Sequence, residues 1–245
     1  MSKILLVAGH GAGDPGAASG GINERDTMRA LAREIKALIP DVVDVYDMTR
    51  DMFQDTNRGG GMSSTAYKEV IELHMDASKN ELVKGGHAII YISYNPDDLD
   101  KRLVKTIDEC FGIVPYLRPS GISKRNNLLN LNVAAKRGIS YRLLELGFIT
   151  NADNRKAVTG EQLKVTARKL AEAITNKKLS TTTTTVEGKQ MDKLLGKTQQ
   201  DDMRNLLQRA YKRGIFTKDH SPSVAKMTRG EALDLLISYT ARTTK

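Results

Sequence analysis

Two residues on either side of a glycine-rich turn have the types and spacing for metal chemistry. His10 follows the apolar run Ile4 to Ala8 in ILLVAGHGAGDPGAASGGINERD, and Glu24 opens the amphipathic segment that comes next. An imidazole at a strand end would therefore face a carboxylate at a helix start. His74 closes another apolar run, in ELHMDAS, and adds a second imidazole. Zinc takes nitrogen and oxygen donors, and a catalytic zinc commonly has three protein ligands with a fourth position left for water. His10, Glu24 and His74 form such a set if their strands are neighbours, because sites in open α/β sheets gather at the strand ends. Taken alone, His10 reads first as a hydrogen-bonded loop histidine. The chain has four histidines, and two of them terminating apolar strands argue for a shared role. The residues by themselves leave the zinc reading open. The same turn has enough glycines for a phosphate loop, but no Gly-Lys-Ser/Thr follows. Asp14 and Pro15 suit a shaped turn along the metal edge, and Gly16 leaves room for substrate.

The elements that must hold these residues follow from periodicity. Ile4 to Ala8 reads as a buried strand; Glu24 to Leu38 reads as a helix, apolar at Met28, Leu31, Ile35 and Leu38 and stopped by Pro40. Further strands are expected over Val42 to Met48, Val70 to Met75, Ala88 to Ile92 in GGHAIIYISY, and ISYRLLELGF. A helix capped by Asp97 or Asp98 runs to about Phe111, and a last one from about Gly160 to Ile174. Residues 51 to 65 read as mostly loop, Thr65 to Val70 as a short helical stretch, and 112 to 130 as irregular. Strands alternating with helices predict an α/β fold, a three-layer domain with a mostly parallel central sheet.

At 245 residues, with 40% hydrophobic positions and no run near the ~20 residues that span a bilayer, the chain reads as soluble and without membrane insertion. Its start lacks the pattern of a secretory signal. One cysteine, Cys110, excludes an internal disulfide and a cysteine-cluster metal site, as expected of a protein made in a reducing compartment. The net charge of +9 is uneven: residues 1 to 176 carry a balance of +2 and residues 177 to 245 a balance of +7. A basic tail suits a polyanion, whether nucleic acid, anionic lipid or an acidic wall polymer.

Three ordered stretches, GHGAGDPGA…GINERD, ELHMDAS and YRLLELGFITNADNR, resemble the signature regions of the zinc-dependent N-acetylmuramoyl-L-alanine amidases, the family shared by bacterial cell-wall amidases and phage endolysins. The similarity spans about residues 3 to 175. It implies one catalytic zinc ion held by His10, Glu24 and His74, with Glu145 in LLELGF as the catalytic carboxylate, and hydrolysis of the amide between N-acetylmuramic acid and L-alanine in peptidoglycan. Glu145 also stands out unaided, since a carboxylate near the end of a core strand is costly unless paired, hydrated or functional. Met75 and Asp76 depart from the family pattern, which commonly has Phe or Ala and then Asn after the second histidine. Asp76, His87, Arg50, Arg58 and Arg118 are candidate substrate contacts, although His87 reads equally as a structural hydrogen-bonding residue and each arginine as a solvated charge. A zinc peptidase acting on the stem peptide, and a non-enzymatic wall- or nucleic-acid-binding protein, are the alternatives.

Residues 1–175 thus form the expected catalytic domain. NKKLSTTTTTVEG, over 176–188, reads as a threonine-rich linker. Residues 189–245 read as a basic helical cell-wall-binding module with helices near Asp201 to Arg213 and Thr228 to Tyr239, the second opened by a Thr228/Glu231 capping box. Its GIF and TRGEALDLL segments faintly resemble wall-anchoring repeats of surface-layer proteins, and Tyr211, Phe216, Arg229 and Tyr239 are the candidate wall contacts. So short a module is marginal as a monomer and would gain from self-association. Met191 is an ordinary methionine or an internal start that releases the module. The architecture looks like a phage endolysin, held in the host cytoplasm until lysis, with peptidoglycan and an acidic wall polymer as partners and no nucleic acid.

Overall fold

The computed structural model describes residues 3–11 and 13–179, with 200, 203–205, 207–208 and 212 beyond them. The chain divides into two units, Met1–Leu179 and Ser180–Lys245. In the second, the described residues are helical, and Met203 and Leu207 are buried. The threonine run, Met191, Tyr211, Phe216, Arg229 and Tyr239 lie outside the described residues.

In the first unit, β1 (Ile4–Ala8), β2 (Ala18–Ser19) and β3 (Ile22–Asn23) precede α1 (Glu24–Leu38). Then come β4 (Val43–Val45), α2 (Met52–Asn57), β5 (Glu69–Asp76), β6 (His87–Tyr91) and α3 (Asp98–Phe111). A 3-10 turn at Pro115–Leu117 leads to β7 (Ile122–Arg125), α4 (Leu129–Lys136), β8 (Ser140–Phe148), α5 (Ala152–Ala157) and α6 (Gly160–Thr175). Six strands form one sheet in the order β4-β1-β5-β8-β6-β7. The first four are parallel, while β6 runs antiparallel to β8 and carries β7 parallel to itself, so the sheet is mixed and mostly parallel.

Helices cover both faces. Ile71, Leu73, Leu144 and Leu146 pack with Met28, Leu31 and Ile35 of α1, Leu103 and Ile107 of α3, and Leu170 of α6. On the other face Val70, Ile89, Tyr141 and Leu143 pack with Met52 of α2 and Leu131 and Ala134 of α4. Side chains alternate along a strand. Glu72, His74 and Asp76 therefore share the α2/α4 face with Val70, and Glu145 shares it with Tyr141 and Leu143.

Four expectations are corrected. Residues 51 to 65 contain α2, because the Asp51 carboxylate caps it by accepting from the amides of Phe53 and Gln54. Thr65 to Val70 holds no helix, since Glu69 and Val70 are already drawn into β5, which pairs with both β1 and β8. The stretch 112 to 130 contains β7, a polar edge strand without apolar alternation, and the start of α4. The second strand shortens to Val43–Val45, the part in register with β1.

Candidate active site

The parallel strands deliver their C-terminal ends to one edge of the sheet. β1 brings Gly9 and His10, β5 brings His74 and Asp76, and β8 sets Glu145 directly opposite His74. Asn23 caps α1 by accepting from the Asp26 amide, which starts the helix so that Glu24 projects between the histidines. Glu24 is nearly inaccessible and fully used. Oε1 faces His74 Nδ1 at 2.8 Å and accepts from the Met75 amide at 2.9 Å; Oε2 faces His10 Nε2 at 3.0 Å and accepts from the Ala17 amide at 3.2 Å. One donor atom from each of His10, Glu24 and His74 lies within 4.8 Å of the others.

Electrostatics fit this trio to a dication. Burial alone would raise the Glu24 pKa, but the two imidazoles and the Met75 amide hold the carboxyl well below the usual range. Glu24 raises the pKa of His10 most strongly, against the cost of burial, and Asp14 adds to it. Burial opposes a charge on His74, yet Glu24 and Glu72 lift its pKa well above the ordinary value. The raised pKa values of both imidazoles show that the trio favours positive charge, which a divalent cation would bring. The donor set of two nitrogens and a carboxylate oxygen is one that zinc accepts.

Each histidine is also gripped from behind. His10 Nδ1 meets Asp14 Oδ2 at 2.8 Å, and His74 Nε2 meets Glu72 Oε1 at 3.0 Å. Glu72 is buried and accepts from Asn130 Nδ2 at 3.0 Å and from the Tyr141 hydroxyl. Outer carboxylates of this kind fix the tautomer and ring orientation of a metal-binding histidine. His10 has φ 64, the left-handed region that a residue with a side chain enters at a cost of roughly 1–2 kcal/mol. Buried Arg29 holds it there by donating to the carbonyls of His10 and Arg50 at 3.1 and 3.2 Å. Gly16, with φ 65, passes so close that an added Cβ would sit 2.6 Å from the His10 ring and 2.7 Å from Glu24 Oε2.

Glu145 Oε2 is a buried oxygen with no hydrogen-bond partner among the described residues. Burial, with Asp76 and Glu24 nearby and only His74 and Arg125 opposing, pushes its pKa up to about 8. Across the β6–β8 pair His87 lies opposite Glu145, with both ring nitrogens buried and without a hydrogen bond among the described residues; burial, with Arg125 assisting, lowers its pKa to about 4, so it is neutral. Asp76 Oδ2 is 4.0 Å from His87 Nδ1. Asp76 and His87 therefore join Glu145 at the edge. Arg50 pairs with Asp55 at 2.8 Å, Arg58 ends α2, and Arg118 donates to the Ile113 carbonyl at 3.0 Å. Beside the histidines a cavity of about 310 Å³ is lined by Phe53, Leu128, Leu129, Asn130, Tyr141 and Leu143, among others.

Sequence reading missed Glu72, Asn130, Tyr141 and Arg125. Glu72 left a signal, since a carboxylate two residues before His74 on a strand must share its face. The other three reach the site only through pairings that α4, β7 and β8 make in space.

The chain is 39% identical over 171 residues to a probable autolysin, PH, of Staphylococcus aureus, an alignment that covers 62% of this chain and 34% of the relative, so the chain spans about a third of that protein's length. Among solved structures, the apo form of the N-acetylmuramyl-L-alanine amidase Ami1 from Mycobacterium abscessus matches with a TM-score of 0.57 at 16% identity, over 71% of this chain and 97% of that one. The catalytic domain of the CD27L endolysin targeting Clostridia Difficile matches with a TM-score of 0.54 at 22% identity, over 72% and 98%. At such identities these two structures share the fold. The model of the N-acetylmuramoyl-L-alanine amidases matches residues 4–176, most of the chain, and the protein belongs to that family.

Proposed function

We propose that the chain is a zinc-dependent amidase that hydrolyses the bond between N-acetylmuramic acid and L-alanine in peptidoglycan. The observation that carries the reading is the register of β5 and β8, which puts Glu145 beside a His/Glu/His cluster. His10, Glu24 and His74 would hold the zinc, which when bound supplies Lewis-acid polarisation and a lowered pKa for water. Glu145 takes a proton from the attacking water as its oxygen joins the lactyl carbonyl carbon. It returns a proton to the alanine nitrogen as the carbon–nitrogen bond breaks, leaving a lactyl carboxylate and a free amine. A pKa near 8 suits a group that must both accept and release a proton near neutral pH. Asp76 and His87 flank the peptide side of this centre.

The finer reading is a phage endolysin: catalytic domain 1–175, linker 176–188 and wall-binding module 189–245, held in the host cytoplasm before lysis. Its support is the basic balance of the tail next to a nearly neutral family domain, and its partner there would be an acidic wall polymer. Among the described residues no helix is long and apolar enough to cross a membrane. Mass spectrometry of digested peptidoglycan, with a chelator control and zinc add-back, tests the reaction. New L-alanine amines that require zinc are expected, and amines internal to the stem peptide would overturn the assignment in favour of a peptidase. Glu145→Gln should fold and keep zinc while losing cleavage; undiminished product release would remove Glu145 from its role.

A further inference from the structure

The β6–β7 end of the same edge carries a cation that the reaction above does not use. In register, Glu145 lies opposite His87, Leu143 opposite Ile89, Ile89 opposite Ser123 and Tyr91 opposite Arg125. Glu145, His87, Ser123 and Arg125 therefore share one face of the sheet. Arg125 begins at the far end of β7, but its Nε donates to Ser123 Oγ at 3.2 Å, two residues back, which turns the side chain toward the edge where His87 starts β6. With that bond made, the guanidinium is drawn back along the sheet face that His87 and Glu145 share. That bond to Ser123 is the one hydrogen bond of the arginine side chain among the described residues, and it has no ion pair there. The terminal fork of a guanidinium matches a carboxylate in two parallel hydrogen bonds.

Position and polarity together choose the ligand. β7 stands two strand spacings from β8, roughly 10 Å, a distance that two or three extended residues cover. Glu145 on β8 and Asp76 on β5, whose carboxylate reaches within 4.0 Å of His87 on β6, put carboxyl groups along this edge, and the arginine stands beyond them on β7. The cavity beside the histidines combines apolar walls at Phe53, Leu128, Leu129 and Leu143 with the carboxylates of Asp14, Asp51 and Glu72. It suits the uncharged lactyl and acetamido groups of the sugar, while carboxylates occur on the peptide. We propose that Arg125 is a subsite for a free carboxylate on the peptide side of the scissile bond, within two or three residues of the alanine. The inference rests on the amidase reading and names its substrate more closely.

The test uses the full chain with zinc and two soluble substrates, N-acetylmuramoyl-L-alanyl-D-glutamate and its diamide. A paired carboxylate should make kcat/KM for the acid about tenfold or more higher than for the diamide. Arg125→Gln should collapse that ratio to near one, and Arg125→Lys, which keeps the charge but not the fork, should leave an intermediate value. A wild-type ratio near one, or a ratio that survives in Arg125→Gln, overturns the subsite. Calorimetric binding of both compounds to Glu145→Gln, with and without Arg125→Gln, needs no cleavage. Loss of the acid preference in the double variant supports the subsite even if the wild type cleaves neither compound, an outcome that would sink the amidase reading alone; an acid preference that is absent or indifferent to Arg125 overturns the subsite.

Discussion

Gly9 is the position where one added carbon should do most harm to the metal site and least to the fold. Its φ lies outside the left-handed region, so alanine is compatible with the backbone. The Cβ that alanine brings would sit 2.6 Å from His74 Nδ1 and closer still to Cε1 and Nε2. Non-bonded heavy atoms rest at about 3.5–4.0 Å, so the ring must retreat by about 1 Å. It has nowhere to go: Glu72 stands 3.0 Å behind it, buried and tied to Asn130 and Tyr141. Gly9 cannot swing away either, because its amide donates to the Leu73 carbonyl at 2.9 Å.

Metal–ligand distances tolerate about 0.2 Å, so a shift of about 1 Å removes His74 as an effective ligand. Gly9→Ala should therefore bind zinc about 100-fold more weakly or worse and lose muramyl-amide cleavage in proportion. Competition against a chromophoric chelator measures the affinity, and circular dichroism of the metal-free protein reports the fold. Gly13→Ala is the control for turn strain, since its added carbon meets nothing within 4 Å although φ is 102. A folded Gly9→Ala protein with zinc affinity within threefold of the wild type would refute the rigid clamp or the assignment of His74.

Three further outcomes are expected. Glu72→Gln and Tyr141→Phe should each weaken zinc binding, by about 10–100-fold for the first, with the metal-free protein still folded; chelator competition that shows no change would make Glu72 a bystander. Zinc affinity should fall with acidification, beginning above pH 6.5 because the pKa values of both His10 and His74 are raised. Below those pKa values each bound proton must be displaced, at a cost of about tenfold in affinity per proton and pH unit; a flat titration from pH 8.5 to 6 would contradict the paired imidazoles. Arg142 is buried among Asp100, Asp97 and Glu69 at 2.7–2.9 Å. Arg142→Met should cost roughly 3 kcal/mol in urea unfolding by leaving Asp100 buried and unpaired, while zinc affinity stays put; a neutral substitution would show that Asp100 is satisfied without it.

What could be read from the sequence was whatever rests on long apolar runs. β1, β5, β6, β8, α1, α3 and α6 each bury a continuous or regularly spaced face, so their periodicity survives without tertiary context, and the residues at their ends, His10, Glu24, His74 and Glu145, came with them. α2, α5 and β7 are short, and local polar bonds hold them in place. Asp51 caps α2 and Asn151 caps α5, accepting from the Asp153 and Asn154 amides. β7 is an edge strand reading ISKR, whose alternation is polar on both sides. Missing β7 meant missing Arg125, since nothing in one dimension turns that side chain back toward Glu145. Asp55, which pairs with Arg50, likewise occupies a helix read as loop.

The charges at this edge explain why the proposed proton carrier is Glu145 and not one of its neighbours. Glu24 and Glu72 are buried, but each is held ionised by an imidazole, backbone amides, an amide side chain or a hydroxyl, so neither can take up a proton near neutral pH. Glu145 shares the same low-dielectric corner with no hydrogen bond to Oε2 among the described residues, and it meets the carboxylates of Asp76 and Glu24 against His74 and Arg125. Its proton is therefore shared out by the field of the whole cluster. A divalent cation at the trio would bring the positive charge that its carboxylates favour. Removing either clamp carboxylate would disturb that balance. Glu72→Gln should accordingly lower the Glu145 pKa as well as zinc affinity, and a pH–rate profile with an unshifted acid limb would show that the two carboxylates do not communicate.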